Sequence, residues 1–256
     1  MIMQQSGEAS KIRQRRERRD KGIRLCTPRD RRVLRWIAEQ DAVRFDHVQQ
    51  LLSRDPRLRT CARVPGPAGV SASNVGQVIN RWERQPTWAE YRRIYTDEPG
   101  WITVAPSGLQ MLSLPYTYHT LSEKTLEHMH AINCIRLDIE RRHPDYRWTS
   151  ERVLRTTLSP KEGTPTKHLP DGQIWRAEGQ VIAVEVELNP KDEEEIDHHL
   201  HELLFGDEDT QTYQTVWYYV SQATPANVQA RRVVENARQR LPEEVRPRVQ
   251  MMRLDK

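Results

Sequence analysis

The apolar run at residues 181–188, VIAVEVEL, constrains the fold more than any other segment because it carries two glutamates. We interpret this run as a strand, in which alternation puts Glu185 and Glu187 on one face and the intervening valines on the other. An unpaired buried charge is very costly, so buried strands do not normally carry carboxylates. The sequence therefore predicts that partners or a cleft surround these two side chains.

A turn and a polar hairpin precede this strand, in the segment HLPDGQIWRAEGQ. Asp171 lies in the turn, and two adjacent strands can bring it close to Glu185. Clustered carboxylates repel one another unless a cation joins them, and ligands that are all oxygen favour Mg²⁺ or Mn²⁺. Such an ion can activate water and stabilise the transition state of phosphoryl transfer, to which Lys191 could add positive charge.

Two interpretations of these acidic residues stay open. In the first, Asp171 and Glu185 hold a metal ion in a shared cleft. In the second, Glu185 and Glu187 lie on an open strand face and pair with Arg152 or Arg155, since strands often carry one polar face.

Charge is divided unevenly along the chain. Residues 1–95 contain 21 Lys and Arg against 10 Asp and Glu, whereas the remaining residues contain 19 against 26. A basic front half is typical of a protein that binds a polyanion, most often nucleic acid. The acidic back half could hold a metal ion, and the alternative is that both halves are simply solvated.

The three cysteines, Cys26, Cys61 and Cys134, lie far apart and form no CxxC pair. This spacing argues against a disulfide framework or a structural zinc site and suits a reducing cytoplasm. We expect Cys134 to be a core residue. No apolar run approaches the length of a membrane span, and the first residues lack a signal-peptide core, so we predict a cytoplasmic protein without a membrane partner.

The front half is predicted to contain a basic arm and a small helical domain. Residues 1–25 hold few apolar side chains, which is typical of a disordered arm. In residues 26–118 we predict three helices and a β-hairpin, with Thr27 and Asp30 starting the first helix as a capping box. Three helices followed by a hairpin is the order of a winged helix-turn-helix.

The third predicted helix, SASNVGQVINRWERQ, has an apolar inner face and a polar, basic outer face. Asn and Gln can read base edges, and Arg can read guanine or bind phosphate, so we predict double-stranded DNA as the partner. A solvated helix face and a protein–protein module are the alternatives. The candidate DNA-binding residues on the helices and the hairpin are Arg29, Arg32, Asn74, Gln77, Asn80, Arg81, Arg84, Arg92 and Arg93.

Residues 119–256 alternate between helical and strand patterns, which predicts a mixed α/β layer fold. We expect helices at 122–142, 192–204 and 225–240. We expect strands near 147–150, 173–176, 181–188, 215–220 and 247–253.

Histidines cluster at two places in this back half. His198, His199 and His201 lie on an amphipathic helix, where a solvated face is a commoner outcome than metal binding. His128 and His130 lie on opposite sides of their helix and cannot jointly bind one ion, although one of them could face the carboxylate cleft.

The order PD and then ExE, in HLPDG and AVEVELNPK, resembles the PD-(D/E)XK, or restriction-endonuclease-like, fold with its αβββαβ core. A fuller set of segments resembles actinobacterial relatives of the replication-relaxation proteins, which belong to plasmids and mobile elements and pair a winged helix with a nuclease-like domain. These segments are WITVAPSGL, LEHMHAINCIRLDIE, WTSERVLR, HLPDG, AVEVELNPK and VWYYVS. The resemblance covers roughly residues 27–250 and implies DNA processing or its regulation.

By this resemblance Asp171 and Glu185 form the metal-binding pair, Glu187 is the third motif residue and Glu151 a helper. The third residue is usually Lys, so Glu187 departs from the pattern. Lys191 could substitute for it by folding back past Pro190. The alternative is a domain that has lost catalysis and kept its shape.

Three hypotheses follow. The first is a DNA-binding protein of a plasmid or mobile element that acts in replication, mobilisation or their regulation. The second is an active Mg²⁺-dependent endonuclease or nickase. The third is a protein–protein adaptor in a conjugation or replication complex. Candidate partners besides DNA are a second copy of the chain and replication or conjugation proteins.

Overall fold

The computed structural model describes residues 25–54, 69–157, 168–177, 179–206 and 212–254. The predicted basic arm at 1–25 lies, apart from Leu25, outside the described residues. Within the described part of the chain, no helix combines the length and the apolar character that crossing a membrane requires.

The front half consists of short helices around a small sheet. Its helices are α1 (Pro28–Glu39), α2 (Phe45–Ser53), α3 (Ala72–Glu83) and α4 (Pro106–Leu112). Its strands are β1 (Ala42–Arg44), β2 (Ala89–Arg92) and β3 (Trp101–Val104), which form an antiparallel sheet in the order β1-β3-β2. The predicted helices and hairpin are present. Strand β1 was not expected, because three residues are too few to show a strand period.

Helix α1 begins at the predicted capping box. The hydroxyl of Thr27 accepts a hydrogen bond from the backbone N–H of Asp30, and the Asp30 carboxylate accepts one from the backbone N–H of Thr27. The same carboxylate is fully buried and accepts hydrogen bonds from Trp82 Nε1 at 3.2 Å and from the Arg81 guanidinium at 2.5 Å. Asp30 therefore both caps α1 and holds α3 against it.

The back half is built on a five-stranded sheet in the order β4-β5-β6-β7-β8. Strands β4, β5 and β6 pair antiparallel, and β6, β7 and β8 pair parallel. The strands are β4 (Arg147–Ser150), β5 (Gly172–Trp175), β6 (Val181–Glu187), β7 (Thr215–Val220) and β8 (Val249–Arg253). The helices are α5 (Leu126–Arg142), α6 (Glu151–Thr157), α7 (Glu193–Leu204) and α8 (Pro225–Arg240), with single 3₁₀ turns at Glu123–Thr125 and Arg246–Arg248.

These elements confirm the mixed α/β class, and the predicted helices and strands of the back half lie within a few residues of their expected positions. Helix α5 begins at Leu126 rather than at 122, because the preceding residues form a 3₁₀ turn. Helix α6 was not predicted as a helix.

The two faces of strand β6 pack against different helices. Ile182, Val184 and Val186 lie in one apolar cluster with α5, whereas Val181 and Ala183 lie in another with α7 and α8. The predicted alternation along this strand is therefore correct. The glutamates at 185 and 187 share the register of Val181 and Ala183, on the side that α7 covers.

Helix α5 also joins the back half to the front half. Glu140 on α5 accepts hydrogen bonds from Trp36 Nε1 at 3.0 Å, from the Arg54 guanidinium at 2.7 Å and from Arg136 Nε at 2.8 Å. Two turns earlier, Asn133 accepts a hydrogen bond from the Gln40 side chain and donates one to the backbone of β1. The contact between the halves is therefore rich in polar groups with fixed partners.

Replacing Glu140 with alanine is expected to lower the free energy of unfolding by about 1.5–3 kcal/mol, because it removes a charged acceptor from several donors. Asp138→Ala is the matched control on the same helix, since the ion pairs of Asp138 among the described residues are with Arg141 and Arg142 one turn away. The free energy of unfolding should fall by no more than about 0.5 kcal/mol in Asp138→Ala. Urea unfolding followed by circular dichroism measures both, and equal losses would contradict a role of Glu140 in joining the halves.

Candidate functional site

Asp171 and Glu185 occupy neighbouring positions where β5 begins and β6 ends. In the antiparallel register Gly172 faces Val184, so the next pair outward is Asp171 and Glu185. One oxygen of the Asp171 carboxylate accepts a hydrogen bond from the backbone N–H of Val186 at 2.8 Å. The turn therefore folds the Asp171 side chain onto the strand that carries Glu185.

Glu185 is buried, with 4% of its surface exposed. Its carboxylate lies 2.9 Å from His168 Nε2. The pKa of Glu185 is raised to about 7, chiefly by burial; the His168 hydrogen bond opposes this rise, and the negative charge of Asp171 adds to it. The two acids are thus close enough to interact electrostatically.

Lys191 folds back toward the strand, and its Nζ lies 3.1 Å from the carboxylate of Glu187. Burial raises the pKa of Glu187, and the charge of Lys191 partly offsets that rise. Among the side chains that the sequence singled out, Lys191 is the one that brings a permanent positive charge to these acids. This is the position that the sequence suggested for it.

The alternative pairing of the glutamates with Arg152 or Arg155 is wrong. Arg152 lies 2.9 Å from Asp41 in the front half, and Arg155 pairs with Glu151 one turn before it. Both arginines sit on α6, which turns toward the front half, whereas α7 covers the glutamates.

His128, on the first turn of α5, is the histidine that faces the carboxylates. Its Nε2 lies 2.8 Å from Asp171 Oδ1. Burial lowers the pKa of His128, but the hydrogen bond and the charge of Asp171 outweigh it, so the net pKa is raised. The imidazoles of His128 and His168 therefore each hold one carboxylate of the cluster.

His199 stacks on His168, with ring centroids 3.7 Å apart and planes 7° from parallel. The expectation of a solvated face is wrong for His199 but correct for His198 and His201, which are exposed. The sequence spacing could have indicated that His199 is partly buried, because residues three apart lie on the same side of a helix. His199 lies three residues after the buried Ile196, on the inner flank of α7.

Two buried polar atoms beside the cluster have no hydrogen-bond partner among the described residues. They are Nδ1 of His199 and the hydroxyl of Tyr218. Tyr218 pairs in register with Glu185 across β6 and β7, and burial, with the charge of Glu185, raises its pKa well above the usual value. The carboxylate cluster is therefore bordered by two buried polar atoms that have no partner among the described residues.

Glu151 lies at the rim of the cluster, at the start of α6. Its backbone N–H donates a hydrogen bond to the carbonyl of Asp171 at 3.3 Å. Burial raises the pKa of Glu151; the Arg155 charge opposes this rise, and the Asp171 charge adds to it. The predicted helper thus lies beside Asp171.

The donors of this cluster fit Mg²⁺ or Mn²⁺ in type, because carboxylate oxygens are the ligands these ions prefer. Their spacing does not yet suit an ion, because no three ligand atoms of the cluster lie within 4.8 Å of one another in the described chain. An ion held by Asp171 and Glu185 would need His128 and His168 to turn away from them.

A second group in the described chain does meet that spacing and could hold a metal ion. It consists of His47, His130 and Cys134. Burial lowers the pKa of His47 to about 3 and raises that of the Cys134 thiol to about 11. Cysteine spacing gives no sign of this group, because its one cysteine lies beside histidines and not beside a second cysteine. Cys134, which we expected in the core, is a half-buried member of a polar cluster.

The candidate DNA-binding residues fall into two sets. Arg29 lies 3.7 Å from Asp30, and Arg81 is held against the same buried carboxylate, so neither is a simple outward side chain. Arg93 is exposed, although its guanidinium donates to the carbonyls of Tyr95 and Thr96 in the hairpin turn. The exposed members of the set are Arg32, Asn74, Gln77, Asn80, Arg84, Arg92 and Arg93.

Comparison of the chain with protein-family models, with curated proteins and with solved structures found no match.

Proposed function

We propose that the protein is a DNA-binding protein of a plasmid or mobile element, composed of a winged helix-turn-helix and a restriction-endonuclease-like domain. The order α1-β1-α2-α3-β2-β3 supports the first assignment. Among the described residues the order is α5-β4-α6-β5-β6-α7-β7, which apart from the short α6 matches and supports an αβββαβ core. The role in replication or mobilisation rests on the resemblance of the sequence segments.

The observation that carries DNA binding is the outer face of α3. Asn74, Gln77 and Asn80 are exposed there, while Val78 and Trp82 on the other side of the helix are buried. Asn and Gln can make paired hydrogen bonds to adenine, so these side chains suit the major groove. Strand β2 packs beside α3, where the backbone N–H of Tyr91 donates to the Glu83 carboxylate, and Arg92 of this strand is exposed.

Gln77→Ala is expected to weaken binding to a DNA site selected from random duplexes by about 1–3 kcal/mol, the value of one paired base contact. Gln229→Ala makes the same change at an exposed position of α8 and should leave affinity unchanged. Fluorescence anisotropy with labelled duplex measures both variants.

The salt dependence of the same binding tests the proposal as a whole. If basic side chains contact several phosphates, affinity should fall by about a thousandfold or more between roughly 50 and 200 mM salt. Weak binding that does not respond to salt would contradict the proposal and favour the protein–protein adaptor.

The carboxylate cluster favours a second candidate function, that of a metal-dependent DNA endonuclease or nickase. Asp171 and Glu185 would hold Mg²⁺ or Mn²⁺, which when bound supplies an activated water and charge stabilisation. Lys191 lies near enough to Glu187 to balance charge at the cleft. The buried position of Glu185 keeps bulk water from screening these charges.

A further inference from the structure

The group His47, His130 and Cys134 lies where the front and back halves meet. His47 is on α2, and the other two side chains are one turn apart on α5. His47 is fully buried, whereas His130 and Cys134 are half-buried. The group therefore spans the contact between the halves, and two of its three members are partly exposed.

The three candidate ligand atoms are spaced like three corners of a tetrahedron around one ion. His47 Nε2 lies 3.0 Å from His130 Nδ1, and Cys134 Sγ lies 3.5 Å from the first nitrogen and 3.7 Å from the second. Zinc bonds of about 2.0–2.1 Å to nitrogen and about 2.3 Å to sulfur, at tetrahedral angles, give edges of about 3.3 and 3.6 Å. The observed separations match those edges within a few tenths of an ångström.

We propose that His47, His130 and Cys134 bind one Zn²⁺ ion that clips α2 to α5 and so fixes the front half against the back half. Two imidazoles and a thiolate are a ligand set that zinc favours and that Mg²⁺ does not. Three protein ligands leave the fourth position for water. The site is separate from the carboxylate cluster and does not depend on nuclease activity.

An ion pair lies beside the group. The Asp46 carboxylate lies close enough to act electrostatically on all three groups, and Arg44 holds it with two hydrogen bonds. A thiolate and Zn²⁺ together carry one positive charge, and the Asp46–Arg44 ion pair beside them adds no net charge.

Binding requires two protons to move. His47 Nδ1 accepts a hydrogen bond from the Arg44 N–H at 3.3 Å, so Nε2 carries the proton and donates it to His130 Nδ1. Zinc binding would transfer that proton to Nδ1 at the expense of this long hydrogen bond. The thiol proton would pass to solvent as the Zn–S bond forms, so one proton is released for each ion bound.

Co²⁺ in place of zinc gives a direct test, because thiolate coordination produces a charge-transfer absorption band. One equivalent of Co²⁺ is expected to give the band in the full chain, and Zn²⁺ should displace it. Cys134→Ser should abolish the band and weaken Zn²⁺ binding by more than the roughly 10–100-fold that loss of an outer-shell partner costs. The double variant Cys26→Ser/Cys61→Ser is the matched control and should retain the band.

Alkylation of the unmodified protein gives a second measurement that needs no variant. Zn²⁺ should protect Cys134 but not Cys26 from iodoacetamide, as mass spectrometry of the peptides would show, and a chelator should remove the protection. Alkylation of Cys134 in the metal-free protein that Zn²⁺ does not reduce, or a cobalt band that survives Cys134→Ser, would overturn the proposal.

Discussion

Replacing Glu185 with glutamine is expected to abolish the nicking of supercoiled plasmid in Mg²⁺ or Mn²⁺. Glutamine keeps the size of the buried side chain but removes the charge that would hold the ion. Because a catalytic ion supplies several kcal/mol of transition-state stabilisation, the expected loss is on the order of a thousandfold. Conversion of supercoiled to open-circular plasmid on agarose measures it.

Glu194→Gln is the matched control, since Glu194 is an exposed acid on α7 next to the cluster in sequence. The Glu194→Gln variant should nick plasmid at the same rate as the unmodified protein. The endonuclease proposal would be contradicted if the unmodified protein left plasmid intact under both metals. It would also be contradicted if nicking survived Glu185→Gln. The first of these results would leave a nuclease-like domain that has kept its shape without the chemistry.

Asp30→Ala is expected to destabilise the front half by about 3–5 kcal/mol, as is typical when one partner of a buried ion pair is removed. The substitution takes the acceptor from Trp82 Nε1 and from the Arg81 guanidinium and also breaks the cap of α1. Whole domains are stable by only about 5–15 kcal/mol, so much of that stability would be lost. Urea unfolding followed by tryptophan fluorescence measures the change.

Thr27→Ala separates the two roles of Asp30, because it removes the capping hydroxyl and leaves the ion pair with Arg81 in place. A lost cap costs about 0.5–2 kcal/mol. If Asp30→Ala costs no more than Thr27→Ala, the contact between α1 and α3 does not depend on the buried carboxylate.

Local patterns in the sequence were enough to predict much of the fold. Two-residue alternation in 181–188 gave the two faces of β6, and the capping box at Thr27 gave the start of α1. The short reach from Lys191 back to Glu187 could also be foreseen, since only one proline and two other residues separate them.

The contacts that could not be foreseen join residues far apart in the chain. His47 meets His130 and Cys134 across more than eighty residues, and nothing in the period of either helix indicates which helix will face it. The partner of Asp171 was likewise unknown, because α5 can present either His128 or His130 to the sheet until its packing is known. Tertiary packing decides such contacts.

Helix α5 is an unbroken run of 17 residues, about 26 Å long at the usual rise per residue. Its first turn faces the acidic cleft and its last turns anchor the front half through Glu140. Because one helix contacts both the carboxylate cluster and the front half, it fixes the distance between them. If α3 docks on duplex DNA, the cleft would meet the backbone at a set number of base pairs from the docking point rather than over a range of positions.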